Sequence, residues 1–161
     1  AVRPGLPGLP AARATLVVNC MGILERLFRE QPRPPTPAEE IGKLLDRFTT
    51  ATIMGVDRED LGRYPAKQYK VMAFHYGAIE YLAQQYELDE TATLGVFVTF
   101  VNKSFNMPVT ETGSISERLQ GFHNNAEERR FLEAGVDVFR RWHEQDERRA
   151  PLQLGEMLQQ P

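Results

Sequence analysis

The sequence contains a single cysteine among 161 residues, so no disulfide can form within the chain and no zinc site can be built from cysteine pairs. Its longest apolar run, Leu94–Val101, falls far short of the roughly 20 residues with which a helix crosses a bilayer. The formal net charge is −3, so there is no overall basic surface for nucleic acid. We therefore expect a protein that neither inserts into a membrane nor binds nucleic acid.

The lone thiol also bears on the compartment. A single cysteine suits the reducing cytoplasm, and a secreted or periplasmic chain that needs no disulfide would look the same. Cys20 falls on the apolar side of a predicted helix, where a thiol is buried and unreactive. The localisation therefore stays open, with the cytoplasm favoured.

Motifs for catalysis and for phosphate or metal binding are missing as well. The chain has no Gly-x-Ser-x-Gly, no glycine-rich phosphate loop and no Ser-x-x-Lys. Its three histidines, His75, His123 and His143, do not follow the His-x3-His or Glu-x-x-His spacing of helical metal ligands. We expect no catalytic residue, no metal site and no cofactor, and an enzyme ranks third among the classes of function.

The sequence is rich in helical periodicity. Apolar residues recur at intervals of three and four over the segments 11–30, 36–53, 66–86, 89–105 and 125–147. Several segments begin with a capping residue: Thr36 opens a capping box that Glu39 completes, and Asp89 and Asn124 or Asn125 precede other helices. The pattern predicts an all-α fold, a compact bundle of about five main helices around a central antiparallel helical hairpin.

The predicted hairpin is the stretch Ala66–Phe105, whose two helices meet at Glu87-Leu88-Asp89. Its second helix is ambiguous, since alternate apolar residues from Leu94 to Phe100 would also suit a strand. The Asp89 cap and the length favour a helix, and a helix that is apolar on nearly all sides should be central and buried. The residues expected in the core are Leu94, Phe97, Val101 and Phe105.

The remaining segments complete the domain organisation. Residues 1–10 form a Pro/Gly-rich arm or linker, because proline lacks an amide donor and glycine is costly to order, and residues 11–161 form a single helical domain. A loop over 106–113 should precede a short helix from Ser114 to Gln120 that Gly121 closes. After Pro151 the chain should form a tail that docks back loosely.

A candidate ligand site follows from the glycines inside the hairpin. Gly77 and Gly95 cost helix stability, and this cost is usually offset by a close helix crossing, or by a cleft where a ligand meets the backbone. Core packing is the favoured interpretation. Under the other, a pocket beside these glycines would take a small, partly apolar ligand, and the residues lining it would be His75, Tyr76, Tyr81 and Phe97.

The leading function is a non-enzymatic helical interaction or regulatory module that binds a protein partner or forms a homo-oligomer. The alternative is a helical domain that binds a small, partly apolar ligand in a pocket near the central hairpin. A broad exposed apolar surface would favour the first, and a cavity with convergent polar groups the second.

The arm generates a prediction of its own. Burying Leu6 and Leu9 would contribute about 1.5–3 kcal/mol each, which the roughly 1–2 kcal/mol per residue lost on ordering the arm would offset. Deleting residues 1–10 should therefore leave the melting temperature nearly unchanged and weaken any oligomer or complex, as measured by a melting curve and by sedimentation. A large drop in melting temperature with unchanged assembly would contradict this role.

Overall fold

The computed structural model describes residues 33–105 and 112–160, and the chain forms two units, Ala1–Pro34 and Pro35–Pro161. In the second unit all regular structure of the described residues is helical, with no strand, so the predicted all-α fold is confirmed. The arm of residues 1–10, the predicted helix 11–30 and most of the predicted loop 106–113 lie outside the described residues.

Seven α-helices and one 3-10 turn follow one another in the described part of the second unit. They are α1 Pro37–Ile53, α2 Arg58–Arg63, α3 Pro65–Gln85, α4 Glu90–Phe105, α5 Thr112–Asn124, α6 Ala126–Glu144, the 3-10 turn Ala150–Leu152 and α7 Gln153–Gln159. None of these helices combines the length and the apolar character that a bilayer crossing requires.

The helices begin where their capping side chains predict. Thr36 and Glu39 form a complete capping box at the start of α1, in which each side chain binds the other's backbone amide. The Asp89 carboxylate accepts a hydrogen bond from the Ala92 amide at 2.7 Å, and the Asn125 side chain accepts from the first amides of α6. Local signals of this kind act within one turn, so they are visible in the sequence.

Two helix ends differ from the prediction. α5 runs from Thr112 to Asn124, so it is longer than the predicted helix and passes through Gly121 without stopping. The Gly121 carbonyl still accepts a hydrogen bond from the Asn125 amide at 2.9 Å, which keeps the last turn closed. α6 ends at Glu144, three residues early, and Asp146 follows with a left-handed φ of 51° that a helix cannot continue.

The closest helix crossing in the unit joins α3 to α6 at Gly77 and Gly135. A Cβ atom at Gly77 would collide with the Leu132 carbonyl, and a Cβ atom at Gly135 would collide with the Phe74 carbonyl. Only glycine lets the two backbones approach this closely. The sequence therefore predicts the role of Gly77 correctly but not its partner helix, which is α6 rather than α4.

Gly95 shows the opposite behaviour. Its Cβ would meet no atom within 4 Å, and the same holds for Gly42, which lies across an open groove between α1 and α4. α4 is thus a helix, as predicted, but it is buried on one face only, and its other face borders this groove. Phe97 and Val101 are buried as expected, while Leu94 and Phe105 are only partly buried.

The segment after Pro151 packs tightly, contrary to the loose docking expected. α7 buries Leu154, Gly155 and Met157. A Cβ atom at Gly155 would collide with the Gly55 carbonyl, so the end of α1 and the start of α7 touch through their backbones. This contact requires glycine at position 155. Gly55 itself has no positive φ, and a Cβ atom there would meet Leu152 only at 3.6 Å or more, so neither a left-handed turn nor the close contact requires glycine at position 55.

The glycines give a matched pair of stability predictions. Gly135→Ala forces the Phe74 backbone away, so we expect the free energy of unfolding to fall by about 3 kcal/mol. Gly95→Ala adds a methyl group in open space on a helix, so stability should rise by up to about 1 kcal/mol. Urea unfolding of both variants measures this. Equal effects at the two positions would show that the α3–α6 crossing tolerates a side chain.

Candidate functional site

A cleft of about 590 Å³ opens between α3, α4 and α5. We call it the acidic cleft. Its lining residues come from three helices and the α3–α4 connection: Tyr76, Glu80, Ala83, Gln84, Glu87, Leu88, Glu90, Thr93, Leu94, Leu119, Gln120 and His123. Apolar side chains make up part of the wall, and most of the polar ones are acids or amides. The cleft therefore combines an apolar surface with negative charge.

Three carboxylates carry the negative charge of the acidic cleft, and one imidazole lies beside them. Glu80 is half-buried, whereas Glu87 and Glu90 are exposed. The His123 Nε2 atom lies 3.4 Å from Glu80 Oε1, and the His123 side chain is itself more than half exposed. No lysine or arginine is among the described residues that line the cleft. Its field therefore favours a cation.

Burial shifts the pKa values of Glu80 and Tyr76, the two titratable groups at the inner wall of the acidic cleft. It raises the pKa of Glu80, an effect that the neighbouring His123 opposes. Burial, and next the Glu80 charge one helical turn away, raise the pKa of Tyr76 to about 12. Tyr76 therefore keeps its hydroxyl proton at neutral pH and can donate a hydrogen bond, while Glu80 takes up a proton more readily than an ordinary glutamate.

Of the four predicted ligand residues, only Tyr76 lines the acidic cleft. Its ring packs edge-on against Phe97, with centroids 4.9 Å apart, so the structure does bring these two predicted residues together. Phe97 is 1% exposed, however, and lies in the core behind Tyr76. It supports the position of the tyrosine and does not reach the space where a ligand would lie.

His75 lies on another face of α3, fully buried among aromatic rings. Its Nδ1 atom is 2.8 Å from the Val71 carbonyl and its Nε2 atom is 3.0 Å from the Thr52 hydroxyl. A carbonyl can only accept, so Nδ1 carries the proton and donates, and in the neutral ring Nε2 accepts from Thr52. Burial lowers the pKa of His75 to about 4, against the smaller opposite effect of the Val71 hydrogen bond. His75 is thus a neutral core residue at physiological pH.

Tyr81 faces α6 rather than the acidic cleft. Its hydroxyl donates a hydrogen bond to the Glu144 carboxylate, and this bond is the main reason that the pKa of Tyr81 is raised. The Tyr81 ring also contacts Phe139, with centroids 5.8 Å apart. These contacts join the C-terminal part of α3 to α6, so Tyr81 has a structural role in the described unit.

The residues that sequence reasoning missed are Glu80, Glu87, Glu90 and His123. Tyr76 and Glu80 are four apart in one helix, a spacing that puts them on the same face and could have drawn attention to the glutamate. No comparable spacing indicates His123. It lies on a different helix, and the intervening sequence does not predict which face of α5 packs against α3.

The buried histidine generates a pH prediction. Its pKa is 6.5 when unfolded and about 4 when folded, so stability is present above pH 6.5 and is lost as the pH falls toward 4. Between pH 7 and pH 5 this residue alone should lower the free energy of unfolding by roughly 2 kcal/mol. Urea unfolding at both pH values, for the parent chain and for His75→Gln, isolates the effect. The same loss in both proteins would show that His75 does not cause it.

Among residues 33–105 and 112–160, no three histidine, cysteine, aspartate or glutamate side chains come together as the ligands of one metal ion would. Comparison with family models, with curated proteins and with solved structures gives no match to this chain.

Proposed function

We propose that this protein is an interaction module whose acidic cleft binds an arginine or lysine side chain presented by a partner protein. The observation that carries the proposal is the set of three carboxylates, Glu80, Glu87 and Glu90, beside an apolar wall. No described lysine or arginine lines the cleft and neutralises these carboxylates. A negative cleft raises the local concentration of cationic groups and increases their rate of association.

The wall of the acidic cleft suits both the aliphatic stem and the charged end of a basic side chain. Arginine and lysine carry an aliphatic stem that packs on apolar surface while the charged end stays with polar groups. Leu88, Leu94 and Leu119 provide the apolar surface, and the glutamates provide acceptors. Hydrogen bonds between a guanidinium and a carboxylate are shorter and stronger than those between neutral groups. Glu80 should contribute most, because its half-buried carboxylate is less screened by solvent.

The size of the cleft favours a side chain that belongs to a longer segment. At about 590 Å³ the space is larger than one arginine side chain fills, so flanking residues of the segment can also enter. Two of the three glutamates, Glu87 and Glu90, are exposed, where they can meet such residues. The alternative is a small, partly apolar amine that binds beside Tyr76 without a protein partner.

The test uses the isotope-labelled full chain and two small probes, N-acetyl-arginine methylamide and its uncharged analogue N-acetyl-citrulline methylamide. We expect the arginine probe to shift NMR signals of residues that line the acidic cleft, such as Tyr76, Thr93 and Leu119, and the citrulline probe to bind much more weakly. Equal binding of the two probes would overturn the proposal, because the carboxylates would then have no role.

Two variants sharpen this experiment. Glu80→Gln should weaken binding of the arginine probe about tenfold, whereas Glu133→Gln, an exposed acid of α6 outside the cleft, should leave it unchanged. Binding should also weaken as the pH falls, starting nearer neutrality than for an ordinary glutamate, since burial raises the pKa of Glu80. A leucine-flanked arginine peptide that binds no more tightly than the single-residue probe would favour the small-ligand alternative.

A further inference from the structure

A second cavity of about 430 Å³ lies among α1, α2, α3 and α4, and it is separate from the acidic cleft. We call it the apolar cavity. Five aliphatic and aromatic side chains form its apolar wall: Ile53, Leu61, Val71, Phe100 and Phe105. A space of this size, lined in this way, is typical of sites that take small apolar molecules. The polar lining residues, Thr49, Arg58, Gln68, His75 and Ser104, therefore decide what kind of molecule fits.

Among the described residues, Arg58 is the one charged residue that lines the apolar cavity. No described acid forms an ion pair with Arg58. The neighbouring acids are engaged elsewhere. Asp57 caps α2, Glu59 lies 3.5 Å from Arg63, and Asp60 lies 2.6 Å from Lys67. The Arg58 guanidinium is consequently available for an anion, and a planar guanidinium matches the geometry of a carboxylate.

Thr49 supplies a second group without a partner. Its hydroxyl oxygen is buried and makes no hydrogen bond in the described residues, and Thr49 is one of the residues that line the apolar cavity. Buried polar atoms are nearly always paired, so the unpaired hydroxyl of a residue that lines a cavity is a candidate partner for a ligand atom. The other buried polar groups nearby are paired, since Thr52 and His75 bind each other. The Arg58 guanidinium can only donate and the Thr49 hydroxyl can donate or accept, so a ligand with acceptor oxygens suits both groups.

We propose that the apolar cavity binds a small monocarboxylic acid with an apolar body, such as a short-chain fatty acid or an aryl alkanoic acid. The carboxylate meets Arg58, and the body packs against Val71 and Phe100. The negative charge and the acceptor oxygens that the polar groups require are both present in a carboxylate. This site is independent of the acidic cleft, which attracts the opposite charge, so either proposal can fail without the other.

The test uses the full chain and three probes, octanoate, octanamide and acetate. Octanoate has both the charge and the apolar body, octanamide lacks the charge, and acetate lacks the body. We expect saturable binding of octanoate by calorimetry, and binding at least about tenfold weaker for the other two probes. Methyl signals of Thr49, Ile53 and Val71 should shift on titration with octanoate, because these residues line the apolar cavity.

Two arginine variants provide the matched comparison. Arg58→Gln should weaken octanoate binding about tenfold, whereas Arg63→Gln on the same helix should not, because Arg63 is outside the cavity lining. Both side chains are exposed, so both variants should keep the melting temperature of the parent chain. Equal binding of octanoate and octanamide, equal binding by the two variants, or methyl shifts away from the apolar cavity would overturn the proposal.

Discussion

The close backbone approach of α3 and α6, where Gly77 faces the Leu132 carbonyl and Gly135 faces the Phe74 carbonyl, is the constraint on which the rest of the described unit depends. Each glycine faces a carbonyl of the other helix, so the two axes lie closer than any pair of side chains would allow. This fixes which face of α3 is turned inward. Tyr81, further along the same helix, reinforces the arrangement through its hydrogen bond to Glu144.

Two other faces of α3 then border two different cavities. Tyr76 and Glu80 point toward the acidic cleft, while Val71 and His75 border the apolar cavity. The phenylalanines between them keep the two spaces apart: His75 packs on Phe100 at 4.8 Å and Tyr76 packs on Phe97 at 4.9 Å. One helix thus places Tyr76 and Glu80 at the acidic cleft, where they can meet a cation. It places the neutral His75 beside the apolar cavity.

How much the sequence could predict depends on the range of the interaction. Thr36, Asp89 and Asn125 cap helices by bonds within one turn, and all three are read directly from the residues. The carbonyl that Gly77 faces, that of Leu132, lies 55 positions away in the chain, and glycine carries no side-chain pattern that would identify this partner. Gly121 failed as a stop signal for a related reason, because glycine is permissive and the next residues decide whether the helix continues.

The candidate site also contains some residues that the sequence predicts and others that it does not. Tyr76 was found because an aromatic residue beside a glycine in a central helix is conspicuous, and His75 and Phe97 were named for the same reason although they belong to the core. The charge of the acidic cleft was not predicted. Glu87, Glu90 and His123 are ordinary surface residues in the sequence, and they form a site only because three helices and a connection converge on one space.

The glycine contacts also bear on the order in which the domain can assemble. Gly77 meets residues beyond position 130, and Gly55 meets Gly155, so the contacts that close the bundle join segments far apart in the chain. During synthesis α3 has to wait, with its apolar face uncovered, until α6 has left the ribosome. Contacts of such long separation slow folding and prolong the exposure of apolar surface. The α3–α6 crossing that closes the bundle therefore also leaves apolar surface of the nascent chain uncovered until α6 has been made.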